Sequence, residues 1–167
     1  MHVRAGKRVV VAGAVRPGTA GAIASLQIKR DGRWRTLDRA RTGVAGRYVL
    51  RDRVRTPMSA PARVRVGAAR RRVGRLNVYR TAYASWYGPG LYGNHLGCGG
   101  RLSPGRLGVA HKTLPCGSKV TLRRGTRTLR VRVIDRGPYV AGREYDLTEA
   151  TARKLRFTGH GSILTTR

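Results

Sequence analysis

From Leu129 to Ile134 apolar and basic residues alternate one for one: Leu129, Val131 and Val133 are separated by Arg130 and Arg132. A period of two puts successive side chains on opposite faces of an extended chain. A half-buried β-strand is the structure that reconciles those arginines with that apolar set. Arg63-Val64-Arg65-Val66 repeats the pattern. Further short strands are expected at Arg8 to Val15, Ile23 to Lys29, Trp34 to Leu37, Gly46 to Leu50 and Lys119 to Leu122. Asp31-Gly32 is a hairpin signal, and Arg124-Gly125-Thr126 reads as the turn between the last two strands. One short helix is expected over Thr148 to Leu155, with Thr148 as N-cap, Glu149 at the positive start, and Leu147 and Ala152 as a staple. No apolar run is long enough for a transmembrane segment. No leader-like apolar stretch follows Met1.

The chain is therefore expected to be all-β. Residues 1–68 carry five short strands with regular turns, which suggests a small immunoglobulin-like β-sandwich, N-terminally incomplete. Residues 69–80 are basic, contain Gly74 and show no period in their first half, and read as a linker. Residues 81–167 form a second domain.

Charge sets the class of partner. Within 167 residues, 36 Lys and Arg face 7 Asp and Glu, a formal net charge of +29. Such a surface attracts polyanions, whether nucleic acid, anionic lipid or the phosphates and carboxylates of a cell wall. The basic residues are spread over both halves, which argues against a dedicated nucleic-acid groove. Cys98 and Cys116 are the two cysteines, too far apart for a C-x-x-C pair. No clustered His or Cys offers metal-ligand spacing. The two thiols are either a disulfide, if the protein is exported, or separately buried.

The scarce carboxylates are unevenly placed. Asp31, Asp38 and Asp52 belong to the first domain, whereas Asp135, Glu144, Asp146 and Glu149 crowd into the second; none occurs between Arg53 and Ile134. Asp135 ends an apolar strand and precedes Gly137-Pro138, a rim position where a carboxyl group can serve first as general acid and then as base. Arg136 beside it would favour the ionised form unless its guanidinium points elsewhere.

Four ordered blocks of the second domain resemble the rare lipoprotein A (RlpA) family. They are Ala84-Ser85-Trp86-Tyr87-Gly88, Ala110-His111-Lys112-Thr113-Leu114-Pro115, Ile134-Asp135-Arg136-Gly137-Pro138 and Asp146-Leu147-Thr148. The resemblance implies a six-stranded double-psi β-barrel with a short helix. It also implies an extracellular or wall-associated protein acting on peptidoglycan glycan strands, with an export signal expected upstream of Met1 and no metal or organic cofactor. It carries the acid/base role of a lytic transglycosylase to Asp135, with Asp146 and His111 assisting. Trp86, Tyr87, Tyr92, Arg136 and Tyr139 become candidates for gripping sugar. A transglycosylase activates no water, so it can dispense with the second carboxylate that hydrolysis normally uses.

The sequence also departs from the family. The family's glutamate, eleven residues before the His, is Gly100 here. Cys98 and Cys116 both stand at departures from the pattern, and their joint appearance implies that they touch. A cysteine-tied groove without that glutamate leans towards the barwin and expansin side of the superfamily. The alternative to cleavage is thus a non-catalytic module that binds or loosens wall polysaccharide, with anionic wall polymers as further partners.

Overall fold

The computed structural model describes residues 1–167, and the chain divides into two compact units, Met1–Tyr79 and Arg80–Arg167. Twelve strands and one α-helix account for the fold. The architecture is all-β.

The first unit contains β1 (His2–Arg4), β2 (Arg8–Ala14), β3 (Ile23–Arg30), β4 (Arg33–Arg41), β5 (Arg47–Arg53), β6 (Met58–Val66) and the start of β7 (Ala69–Tyr87). β4, β3, β6 and β7 form an antiparallel sheet, while β1 runs parallel to β7 and β2 pairs antiparallel with β5. Alternation decides the faces. Val9 and Val11 of β2, Leu26 and Ile28 of β3, Leu50 of β5 and Val64 of β6 all enter one buried core. The hairpin between β3 and β4 turns through Asp31 and Gly32, both at positive φ, as such a two-residue turn requires.

Residues 69–80 are not a linker. They form the first part of β7, paired with β6 from Ala69↔Val66 to Val78↔Met58. Charge hides the strand in the sequence: Arg70, Arg71 and Arg72 blunt the period at its start, while Leu76 and Val78, fully buried, belong to the first core.

The second unit is built from the end of β7 with β8 (Val109–His111), β9 (Lys119–Arg124), β10 (Arg127–Asp135), β11 (Tyr145–Thr148), α1 (Glu149–Leu155) and β12 (Gly161–Thr165). Neighbours run β7-β12-β9-β10-β8-β11, and β11 pairs with β7 again, so six strands close into a barrel. The pairs β10–β8 and β11–β7 are parallel, and the other four are antiparallel. Closure leaves no free edge. Ala84, Val109, Val120, Leu122, Val133 and Leu147 are among the residues that fill the interior. Thr148 caps α1, its side chain accepting from the Thr151 N–H, and Glu149 stands in the first turn. No helix is long and apolar enough to cross a membrane.

Candidate active site

The site lies on the outer surface of the barrel, where a bulge re-aims one carboxylate. In β10, simple alternation would put Asp135 on the same side as Val131 and Val133, inside the barrel. The pairing with β8 shifts, however: Val133 opposes Val109, yet Asp135 opposes Ala110, the very next residue. Two residues of β10 thus span one of β8, as in a β-bulge, and Asp135 joins the outward set. Ile134, the extra residue, packs in a separate small cluster with Leu96 and Leu102.

Ala110 also pairs with Asp146 of β11, and Asp146 pairs with Ser85 of β7. Ser85, Asp146, Ala110 and Asp135 therefore form one lateral row across four strands. The two aspartates flank a single small residue, with backbones about 10 Å apart at ordinary strand spacing. The Ser85 hydroxyl donates to Asp146 Oδ1 at 2.9 Å. Burial pushes the Asp146 carboxyl above its ordinary range, against the pull of Ser85 and Arg143 and with the help of Asp135. Tyr87 lies within electrostatic reach of both carboxylates. Burial first, then Asp135 and Asp146, keep its phenol protonated, although its hydroxyl meets no hydrogen-bond geometry.

Asp135 is held by backbone. The N–H groups of Gly97 and Arg136 both donate to Oδ1, at 2.7 and 2.8 Å. The Arg136 guanidinium turns away. It donates to the carbonyls of His111 (3.0 Å) and Leu114 (2.7 Å) and to Cys116 Sγ (2.9 Å). This makes Arg136 a loop brace, its guanidinium directed at that loop and not at the Asp135 carboxyl. Cys98 and Cys116 form a disulfide, tying the loop that carries Gly97 to the loop that Arg136 braces.

His111 faces a carboxylate, though that of Glu144 and neither aspartate. Its Nδ1 accepts from the N–H groups of Thr113 and Leu114, at 3.1 and 3.0 Å, and Nε2 faces Glu144 at 3.6 Å. Those bonds fix a neutral ring with the proton on Nε2. Burial lowers its pKa, while Glu144 pulls the other way. Glu144 is gripped in turn by both terminal nitrogens of Arg80. The His thus shapes the Lys112–Pro115 loop, and its two nitrogens are directed at that loop and at Glu144 rather than at either aspartate.

The aromatic candidates separate. Tyr139, two residues beyond Gly137, is 81% exposed and free to meet a ligand. Trp86 is exposed at the end of β7, whereas the Tyr92 hydroxyl is committed to Glu149. Gly97, Ser85, Glu144 and Arg80 draw no role from sequence. Gly97 acts only through its backbone, which no residue pattern advertises. Glu144 is visible as one of the few acids, but its partner Arg80 is one arginine among 31.

The family model described as lytic transglycolase, a double-psi β-barrel, matches residues 79–165. The chain belongs to that family. A protein of Synechocystis named "probable endolytic peptidoglycan transglycosylase RlpA" is 42% identical over 80 residues, 47% of this chain and 25% of that one. The endolytic peptidoglycan transglycosylase RlpA of Campylobacter jejuni is 41% identical over 81 residues, 47% of this chain and 30% of its own length. The chain therefore spans under a third of either relative. Among solved structures, apo expansin of Clavibacter michiganensis is similar at 24% identity and a TM-score of 0.42, over 52% of this chain and 48% of that one. Within the family's barrel, Asp135 and Asp146 stand on the outer face and the Cys98–Cys116 disulfide closes the loop beside them.

Proposed function

We propose that the barrel cleaves peptidoglycan glycan strands as a lytic transglycosylase, with Asp135 as the proton-transferring group. The observation that carries this is the row of Asp135, Ala110, Asp146 and Ser85 on the outer face, with Asp135 oriented by two backbone N–H bonds. Protonated Asp135 gives its proton to the glycosidic oxygen as the C1–O bond breaks. The resulting carboxylate takes the proton of the C6 hydroxyl, whose oxygen closes on C1 to form the anhydro ring. No water enters, and Asp135 ends protonated as it began. Asp146, a carboxyl that burial keeps readier to hold a proton, would hydrogen-bond sugar hydroxyls across Ala110. Tyr139 and Trp86 would supply apolar faces for the rings. His111 and Arg136 serve as positioning residues.

The names of the relatives support this reading, as does the disulfide, which suits an extracellular or wall-associated protein. The first unit, two β layers around one core, fits an immunoglobulin-like accessory sandwich. Gly100 favours one alternative, a module that binds glycan without cutting it, because no carboxylate stands where the family carries one.

The two readings separate by mass spectrometry of soluble products after incubation with sacculi and with peptide-stripped glycan. Anhydro-ended fragments from wild type and none from Asp135→Asn support cleavage. No fragments from either, with wild type still sedimenting with sacculi, would leave a binding module.

A further inference from the structure

We propose that the outer face of the first unit's sheet docks a phosphodiester polymer of the bacterial wall. The face is that of β4, β3, β6 and β7 turned away from the core. Its rows can be read from the strand registers. Arg39, Ser25, Arg65 and Arg70 form one row; Thr36, Gln27, Arg63 and Arg72 form the next. Lys29 extends the same set along β3. Arg39, Arg65, Arg70, Arg72 and Lys29 are all exposed. The one carboxylate on these strands, Asp38, is bound by the backbone N–H groups of Arg39 and Arg51.

Arginine directly opposite arginine, twice in succession, is an unfavourable cross-strand arrangement. Arg63 escapes by lying over Trp34 at 3.9 Å and donating to Gln27 at 2.8 Å. Arg65 finds only a carbonyl, that of Gly67. Between Arg39 and Arg65 lies a shallow depression of about 250 Å³ whose lining includes Ser25, Gln27 and Thr36. Ser25 and Gln27 are buried beneath the arginine stems, so hydroxyl and amide groups floor a pocket walled by guanidinium groups. That combination suits a phosphate oxyanion.

Arg65 and Arg70, like Arg63 and Arg72, stand about 4.8 Å apart across strands, and Arg39 lies about two strand spacings from Arg65. The two rows are about 6.8 Å apart, a spread of charge that fits a chain of anionic groups better than one ion. Nucleic acid is disfavoured. Trp34 is covered by Arg63 and offers no open platform for a base. The choice of a wall polymer rests on the wall-directed function proposed for the barrel; the cationic face stands without it.

The test measures binding of the full chain to sacculi that retain phosphodiester polymer, to the same sacculi stripped with hydrofluoric acid, and to duplex DNA. The variant R39Q/R65Q/R70Q/R72Q is compared with R8Q/R47Q/R51Q/R53Q, which removes equal charge from β2 and β5. Wild type should prefer polymer-bearing sacculi by about tenfold. In the first variant the salt slope of binding should fall by roughly 0.7–0.9 for each phosphate no longer neutralised. The control variant should keep the preference. Thermal melting checks the fold, and the first variant should melt no lower than wild type because repulsion is relieved. Competition of wild type off sacculi by the isolated polymer asks the same question without any variant. Equal loss in both variants, no preference between the two sacculi, or DNA bound as tightly as polymer would overturn the proposal. Glycan products scored in the same samples keep the two readings apart: missing products with the preference intact would refute only the cleavage.

Discussion

The bond from Gly97 to Asp135 can be broken without touching either carboxylate. A Cβ built on Gly97 would stand 2.8 Å from Arg136 Cγ, 3.1 Å from its Cβ and 3.1 Å from its backbone nitrogen. None of these atoms is the far end of a mobile side chain, and the guanidinium beyond them is pinned by three acceptors. Gly97→Ala therefore forces apart the two segments whose N–H groups converge on Asp135 Oδ1. Overpacking of this kind costs about 1–3 kcal/mol of stability. Losing the 2.7 Å bond, to an acceptor that becomes charged as its proton leaves, costs roughly 1.5–3 kcal/mol more at that stage. If that is expressed in the transition state, release of anhydro-muropeptides slows by roughly 10- to 150-fold. Gly105→Ala is the control, because its Cβ meets nothing within 4 Å and its φ is not left-handed. The assay is the initial rate of product release on peptide-stripped glycan, with melting temperature measured alongside. A folded Gly97→Ala protein that turns over at the wild-type rate would refute the idea that this backbone bond orients the acid.

Three more perturbations have signs fixed by the structure. Asp146 has a folded pKa raised by burial, so its contribution to stability is present below its unfolded value and is lost as pH rises through the folded one. Asp146→Asn should therefore melt higher than wild type at neutral pH, with the gap narrowing below about pH 4, while glycan binding weakens. Burial alone would raise the Glu144 carboxyl, but the bonds and charge of Arg80, then His111, hold it below its ordinary value. Its stability is present above the unfolded pKa and lost in acid. Glu144→Gln should cost about 1 kcal/mol at pH 7 in denaturant melts and less near pH 3. Replacing Cys98 and Cys116 with Ser should cost about 3 kcal/mol on a chain-entropy estimate for their 18-residue separation.

The strands and the capped helix are legible in the sequence because their signals are local: alternating valines and arginines, Gly-Pro after the strand, a Thr before the helix. Their closure into a barrel is read from the family resemblance. Asp135 and Asp146 draw attention because each stands inside a block of that resemblance, and the cysteine pair because both members depart from it. What stays hidden depends on register. A period of two, followed strictly, sends Asp135 into the core beside Val133, and only the bulge against Val109 and Ala110 turns it outward. The same limit hides β7, whose opening arginines face solvent while Leu76 and Val78 fill the core. His111 attracts a chemical role in the sequence because it stands in the Ala110–Pro115 block of the family resemblance. Its two nitrogens are spent on Thr113, Leu114 and Glu144, a distribution visible only in three dimensions.

Gly100 follows from the same loop. Its φ of +78 places it in the left-handed region, and an added Cβ would meet only Arg106 Nη2 at 3.7 Å. Space for a side chain exists, so conformation rather than crowding accounts for the glycine. The neighbouring disulfide fixes Cys98, and the Cys98 N–H is bonded to the Ile134 carbonyl at 3.3 Å, so the loop is anchored one residue from Asp135. A tight, left-handed Gly99-Gly100 turn lets the loop leave that anchor and lay the Gly97 N–H on Asp135. A glutamate at position 100 would cost about 1–2 kcal/mol of backbone strain in this conformation. The loop spends its geometry on orienting one carboxylate instead of supplying a second. Cleavage by the proposed route must then run on that one carboxylate, with the substrate's own hydroxyl and no water attacking C1, whereas a module that only binds glycan needs no second acid.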